Sequence, residues 1–360
     1  MGIERQEIWA REAEGEEQFQ VDTYLGKKTN LHKLKKSIVY NIPDKLKYYR
    51  ESREKLYEPD SVEPVDCCPV CGEPTAHAVS RSNIYGADYV QCQHCTHVYV
   101  QKRPTKKAIE GFYLNDVTYA ATYTSKESAE SRLNAIAVPW VEWTIRVYEK
   151  QYGRKPESIL DVGSGAGHFV EACRRQGIKA HGIELSESSR EFSKEIWNIE
   201  LDGRDFLKAG AEYAGYDIVT FWGLLEHTPN PGKILDQAFE IVSQSTHGGM
   251  VISKVPRWDS LSSAAQRENT STIIRHLDPM GHIMCFTDAS AAELYHRSGF
   301  KPVAAWYYGM DVYETLMQVG NHTEHYESFA ASSAMQVELQ QYVDEVKFSD
   351  GLTLVGVPNR

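Results

Sequence analysis

Residues 1–60 are polar, and regular apolar spacing begins only near residue 131. In 131–152 (SRLNAIAVPWVEWTIRVYEKQY), Ile136, Trp140, Trp143 and Val147 recur at helical spacing, and Pro139 marks a kink or a break between two helices. From residue 158 the pattern alternates between short apolar runs and amphipathic stretches. The apolar runs 158–162, 178–184, 216–222, 250–255, one from about 301, and 352–357 predict strands. Helices are predicted over 168–176, 186–196, 232–243, 289–298 and 324–346, with Ser186 a plausible N-cap and Gly177 and Gly299 closing two of them. Strands that are apolar throughout, separated by helices, are covered on both faces, which predicts a parallel, doubly wound sheet.

Three units are expected: an N-terminal helical and basic arm over 1–60, a cysteine module with its linker over 61–130, and an α/β domain over 131–360. The length of 360 residues suits more than one domain. Lys27, Lys28, Lys33, Lys35, Lys36, Lys45, Lys47, Arg50, Arg53 and Lys55 make the arm basic in a chain of net charge −11. It reads as a solvated helix packed on the body; the alternative is a surface for an anionic group. The acidic total argues against a nucleic-acid partner. The charged start MGIERQEIWARE has no apolar signal segment, and no apolar run approaches the roughly 18 residues that span a bilayer. A cytoplasmic protein without a membrane span is therefore expected.

Five of the seven cysteines fall within residues 67–95. The pairs Cys68-Pro-Val-Cys71 and Cys92-Gln-His-Cys95 form two C-x-x-C knuckles, a spacing that signals zinc. Four thiolates leave no open coordination position, so such a zinc is structural. Cys67, His94 and His97 lie close by, and Cys67 could replace Cys68. Cys173 and Cys285 read as buried packing residues.

The segment ILDVGSGAGHF (159–169) carries the most chemistry. A strand ends at Asp161 and Val162, and Gly163, Ser164, Gly165 and Gly167 turn the chain into a helix whose N-terminus offers unpaired N–H donors. Dinucleotide-binding folds use G-x-G-x-x-G, but here the spacing is G-x-G-x-G, with His168 where the third glycine would stand. This combination, with an acid two positions before the first glycine, resembles motif I of class I S-adenosylmethionine-dependent methyltransferases. The resemblance implies an α/β, Rossmann-like, doubly wound fold with a mostly parallel seven-stranded sheet. It places Asp161 near the methionyl ammonium of S-adenosylmethionine and Glu184, followed by Leu185, on the ribose hydroxyls. Asp205 would face the adenine amino group, with Phe206 beside the ring. Trp222, at the end of the strand YDIVTFW, joins the cofactor set. Glu184 alone would serve a nicotinamide dinucleotide equally, and Asp205 could be only a helix cap.

Past that strand, LLEHTPNP (224–231) matches a Leu-Glu-His and Pro that many small-molecule members carry. The resemblance makes His227 the candidate general base, since imidazole titrates near neutrality, and Glu226 the group that orients it. The alternative is that His227 only caps the strand or touches the cofactor. In related quinone-pathway enzymes acids and a His in this segment bind a divalent cation; Leu224 and Leu225 leave only Glu226 and His227 here. His276 and His282 are weaker alternatives for the base and read first as ordinary loop or packing residues. The run CPVCG … CQHCTHVYVQKRPT … GFY (68–113) is similar to the N-terminal zinc-binding part of bacterial sugar and polysaccharide methyltransferases. That similarity implies a small-molecule acceptor, nucleotide-linked sugars among them, with Tyr113, Tyr119 and Tyr123 in its pocket or packed between modules. An RNA-modifying enzyme and a non-catalytic zinc-dependent scaffold are the competing readings. The oligomeric state is not encoded in any motif.

Overall fold

The computed structural model describes residues 3–11, 17–27, 42–109, 126–269, 275–323 and 333–359. Tyr113, Tyr119, Tyr123, Lys28, Lys33, Lys35 and Lys36 lie outside them. Fourteen strands are assigned among the described residues. They are β1 (Ile3–Arg11), β2 (Glu17–Leu25), β3 (Val62–Pro64), β4 (Val79–Ile84), β5 (Ala87–Gln91), β6 (Val98–Val100) and β7 (Lys102–Pro104), then β8 (Ser158–Val162), β9 (Lys179–Ile183), β10 (Ile218–Trp222), β11 (Met250–Pro256), β12 (Met284–Cys285), β13 (Phe300–Tyr307) and β14 (Gly351–Pro358).

The main sheet has eight strands in the order β1-β2-β13-β14-β11-β10-β8-β9. β9, β8, β10 and β11 pair in parallel. β14 lies antiparallel to both β11 and β13, and β13 is parallel to β2. The expected seven-stranded, mostly parallel sheet is therefore corrected to a mixed sheet of eight. The reason is local. β14 is buried along nearly its whole length, so its apolar run LTLVGV has no alternation and carries no sign of direction.

The first 25 residues are also not helical where described. They form an antiparallel hairpin that extends the sheet. In β2, Phe19, Val21, Thr23 and Leu25 are buried at a spacing of two, the period of a strand. β1 is the sheet edge and largely exposed, so its polar sequence hides it. The arm's helix is confined to Ile42–Leu56 among the described residues. It is not merely solvated. Arg53 is buried and grips Asp278 with two bonds, Nε and Nη2 to the two carboxylate oxygens at 2.9 and 2.8 Å. The hydroxyl of Tyr57 donates to the carbonyl of Pro279 at 2.8 Å.

A second sheet, β12-β6-β5-β4, joins the two halves of the molecule. β4 to β6 come from the cysteine module, whereas β12 comes from the α/β domain. The segment 282–287 therefore leads into the module sheet before the chain enters the helix Asp288–Arg297. One apolar cluster runs from Val70, Tyr89 and Val98 of the module to Leu225, Val255 and Leu354 of the main sheet. A module too small for its own core borrows one. Cys173 and Cys285 are fully buried in these clusters, as packing residues should be.

The helix Val138–Tyr152 covers one face of the main sheet, with Trp143 and Tyr148 buried. Pro139 falls in its first turn, directly after a π-helical turn Leu133–Ala137, so it stands where one helical segment gives way to the next. Among the described residues no helix is long and apolar enough to cross a membrane.

Gly249 tests how tightly the sheet and its helices meet. A Cβ there would sit 2.0 Å from the carbonyl oxygen of Val242, whereas one at Gly232 would meet nothing within 4 Å. Gly249→Ala is expected to cost roughly 1–3 kcal/mol in denaturant unfolding, as overpacking does. Gly232→Ala should hold or raise stability. Equal midpoints for wild type and Gly249→Ala would show that the approach is looser than described.

Candidate active site

β8 and β9 run side by side, and the turn after β8 is tied to β9 before it enters the helix His168–Arg175. The amides of Gly163 and Ser164 both donate to the carbonyl of Ile183, at 2.9 and 3.1 Å. Gly165 and Gly167 have φ of +52° and +76°, which side-chain-bearing residues rarely adopt. Gly167 is also the N-cap of the helix, and a Cβ there would lie 2.4 Å from Ser193 Oγ. No side chain caps this helix start. Its N–H groups therefore face the edge where parallel strands end, the position at which open α/β sheets bind ligands.

Glu184 stands just past β9 and meets this turn. One carboxylate oxygen accepts the Gly165 amide at 2.7 Å, and the other accepts the Ser186 amide at 2.7 Å. Leu185 beside it is 65% exposed, an apolar surface at the rim. Asp161 is buried and accepts a hydrogen bond from the Thr220 hydroxyl at 2.7 Å. Burial pushes its carboxyl up to about 8; the Thr220 bond opposes this and the charge of Glu184 adds to it.

The other expected cofactor residues are placed less uniformly. Ser164 turns inward and its hydroxyl reaches the Ile183 carbonyl at 3.4 Å, so it ties the turn to β9. Asp205 caps the short helix Phe206–Ala209, accepting the Leu207 amide at 2.8 Å. Phe206 is buried and packs edge-on against Phe221. Trp222 ends β10 and stacks on Trp140, with centroids 4.3 Å apart and planes at 7°.

His227 lies in a 3₁₀ turn, Leu225–His227, that follows β10. Its Nε2 is 4.0 Å from Glu226 Oε1, too long for a hydrogen bond but close enough for an ion pair. The structure adds a group that the sequence ranked low. His282 Nε2 is also 4.0 Å from Glu226 Oε1, and the two imidazoles stand edge to face at 4.8 Å. His282 Nδ1 donates to the carbonyl of His276 at 3.2 Å, which leaves Nε2 to face the carboxylate. His276 in turn lies 3.2 Å from Asp350. The loop passes so close that a Cβ on Gly281 would meet His227 Nδ1 at 2.8 Å. The side-chain ligand atoms of Glu226, His227 and His282 all lie within 4.8 Å of one another, a second set able to hold a cation. The only sequence hint was the run HLDPMGHIM, in which a glycine precedes a histidine.

Cys68, Cys71, Cys92 and Cys95 converge, with Sγ–Sγ distances of 3.6 Å for Cys68–Cys95 and 3.5 Å for Cys71–Cys92. Thiolates around a tetrahedral ion at about 2.3 Å sit a little under 4 Å apart. The four thiols thus form a cluster able to chelate a metal. Cys67 is exposed and outside the cluster.

Residues 137–305 match the family model described as a methyltransferase domain. The match covers just under half of the chain. The ubiquinone biosynthesis O-methyltransferase of Acinetobacter baylyi is 28% identical over 123 residues, 32% of this chain and 49% of that protein. The protein of the same description in Bordetella avium is 32% identical over 123 residues, again 32% of this chain and 49% of the other. The chain thus spans about half the length of the curated relatives it matches. A solved S-adenosylmethionine-dependent methyltransferase from Archaeoglobus fulgidus is 16% identical, with a TM-score of 0.41, over 61% of this chain and 94% of that one. The matched stretch holds Asp161, the glycine turn, Glu184 and the His227 turn, and it includes β12, which pairs with the cysteine module.

Asp161 gives a pH test. Its folded carboxyl titrates near 8 and its unfolded one near 3.8, so between these values the folded protein holds a proton that the unfolded chain has lost. Stability supplied by that proton falls as pH rises through the window, by up to about 1.4 kcal/mol per unit. Asp161→Asn keeps an acceptor for Thr220 and removes the titration. The stability gain of Asp161→Asn over wild type should therefore grow from pH 5 to pH 8.5. A gain that is flat with pH would refute the buried-carboxyl assignment.

Proposed function

We propose that this chain transfers a methyl group from S-adenosylmethionine to an oxygen or carbon of a small molecule. The observation that carries the proposal is the pairing of Glu184 with the Gly165 amide at the open edge, beside buried Asp161. This geometry fits the cofactor. A Cβ at Gly165 would meet nothing within 4 Å, so the turn has open space above it, and Leu185 offers an apolar surface next to a carboxylate. Asp161 would face the methionyl ammonium, Glu184 the ribose hydroxyls, and Asp205 with Phe206 the adenine end. When bound, S-adenosylmethionine supplies a methyl group already activated on a sulfonium.

The chain's own residues then position the acceptor and manage its proton. In this reading His227 takes the proton from the acceptor hydroxyl or C–H acid. Glu226, buried between His227 and His282, stabilises the imidazolium that forms. His282 is held by the His276 carbonyl and limits where Glu226 can swing. A phenolic hydroxyl fits the quinone-pathway names of the relatives; a nucleotide-linked sugar fits the resemblance of the 68–113 segment. The four-cysteine cluster is proposed to hold a structural zinc ion that stabilises the module on which β12 is paired.

Calorimetric titration with S-adenosylmethionine should show binding by wild type and by His227→Ala, and none by Gly165→Val, because a β-branched residue is strained at φ +52°. Turnover, read as a mass gain of one methyl on a panel of phenols and sugar nucleotides, should fall by roughly 100-fold or more in His227→Ala, the scale of a lost general base. Full activity in that variant would place the base elsewhere.

Zinc content should be one ion per chain by metal analysis. Cys71→Ser should lose it and unfold at a lower temperature. A metal-free wild type of unchanged melting temperature would remove the zinc assignment.

A further inference from the structure

The segment 276–283 brings His282 to Glu226, and it is gripped along its length. Asp350 lies 3.2 Å from the His276 ring, Arg53 holds Asp278 with two bonds, and the Tyr57 hydroxyl donates to the Pro279 carbonyl. Past these anchors comes Gly281, whose backbone no Cβ restrains. It lies against the ring of His227, where an added Cβ would be 2.8 Å from Nδ1 and 2.9 Å from Cε1. The next two carbonyls are both taken by the cysteine module. The Tyr89 hydroxyl donates to that of His282 at 2.9 Å, and the Val100 amide donates to that of Ile283 at 3.0 Å. Tyr89 and Val100 are cross-strand partners on β5 and β6.

The two grips differ in kind. The Val100 bond runs from backbone to backbone beside the pairing of β6 with β12, and any side chain that donates through its amide would keep it. The Tyr89 bond needs one hydroxyl. Tyr89 is wholly buried, at 0% exposure, so its phenol is cut off from water. Burial first, with the charges of Tyr57, Cys285 and Asp278 adding to it, raises that phenol well above its ordinary range, so it keeps its proton and donates. The carbonyl next to Gly281 is thus fixed by a side chain of another module. Released, it would let the glycine backbone rotate. The edge of His282 that faces Glu226 and the close approach of Gly281 to His227 would then shift together. Misplacement of about 1 Å in groups that set reacting geometry costs on the order of 100-fold in rate.

We propose that Tyr89 is a positioning residue for the His227 site: its hydroxyl fixes the 281–282 backbone, so that His282 faces Glu226 and Gly281 bears on the His227 ring. The cysteine module thereby acts on the acceptor step through one hydroxyl, separately from the glycine turn. That the step is methyl transfer to an acceptor rests on the reading above; the placement of the two imidazoles by Tyr89 does not.

The test labels histidine Cε1 with carbon-13 in the full chain and compares spectra of wild type, Tyr89→Phe and Tyr99→Phe at one pH. The signals of His227, His282 and His168 are assigned from single His→Gln variants. Tyr99 is the control: it is buried in the same sheet, and its hydroxyl bonds Thr75 at 3.0 Å within the module. Its loss weakens the module and leaves the His282 carbonyl held. Tyr89→Phe should move the signals of His227 and His282 and leave that of His168, at the helix start after the glycine turn, in place. Tyr99→Phe should move none of the three. S-adenosylhomocysteine should bind both variants within about twofold of wild type by calorimetry. On an acceptor found in the panel of phenols and sugar nucleotides, Tyr89→Phe should lose about tenfold or more in kcat, with KM for S-adenosylmethionine within about twofold. Unmoved His227 and His282 signals in Tyr89→Phe, equal movement in Tyr99→Phe, or an unchanged kcat would overturn the proposal. Moved signals with no S-adenosylhomocysteine binding to any of the three proteins would sink the methyltransferase reading and keep the positioning role. Should Tyr89→Phe fold poorly, wild type carries the test through exchange of the Tyr89 hydroxyl proton, read as the deuterium isotope shift on the labelled ring carbon Cζ. Slow exchange is expected of a buried, bonded hydroxyl, and fast exchange would remove the bond on which the proposal stands.

Discussion

Parallel pairing makes β8, β9, β10 and β11 end on one edge, and the groups that bear on chemistry hang from that edge. Each strand end leaves the backbone without a partner, and the chain must turn there. In this protein the turn after β8 is closed by the Glu184 carboxylate, and the turn after β10 presents Glu226 and His227. Apart from the neighbours Glu226 and His227, these groups are far apart in sequence. Their proximity follows from strand direction alone.

The cysteine cluster is wired to the same edge by a short path. Cys92 and Cys95 precede β6, β6 pairs with β12, and β12 begins two residues after His282. The Tyr89 hydroxyl donates to the His282 carbonyl at 2.9 Å, and the Val100 amide donates to the Ile283 carbonyl at 3.0 Å. A module that looks like an appendage in sequence therefore fixes the backbone beneath a histidine facing Glu226. From the other side, Arg53 and Tyr57 clamp Asp278 and Pro279. The loop with His276 and His282 is held by two segments that come before the stretch 137–305.

Much of this was legible from residue types. β8 to β11 and the helices between them fall where apolar period and glycine turns put them, and Ser186 caps its helix by accepting the Ser189 amide. The four cysteines gather as two knuckles should. What escaped the sequence is non-local. The hairpin β1–β2 carries a strand period in only one of its two strands, because the other is an edge in water. β14 is too uniformly apolar to reveal its direction. His282 looks like any loop histidine until the module sheet folds its backbone toward Glu226. Asp205 shows the opposite limit: a residue matched to an adenine contact also caps a helix, and one chemistry, a carboxylate near amides, serves both.

The pairing of β2 with β13 has a consequence for how the chain comes to be. The Trp306 indole donates to the Gly26 carbonyl across a separation of 280 positions. During synthesis the hairpin emerges long before β13 and has no sheet to join until β13 has been made. Closing so long a loop is paid in entropy before any contact rewards it. These early strands are thus among the last to find their place, and until then β2 exposes Phe19, Val21 and Leu25 to any other bare strand.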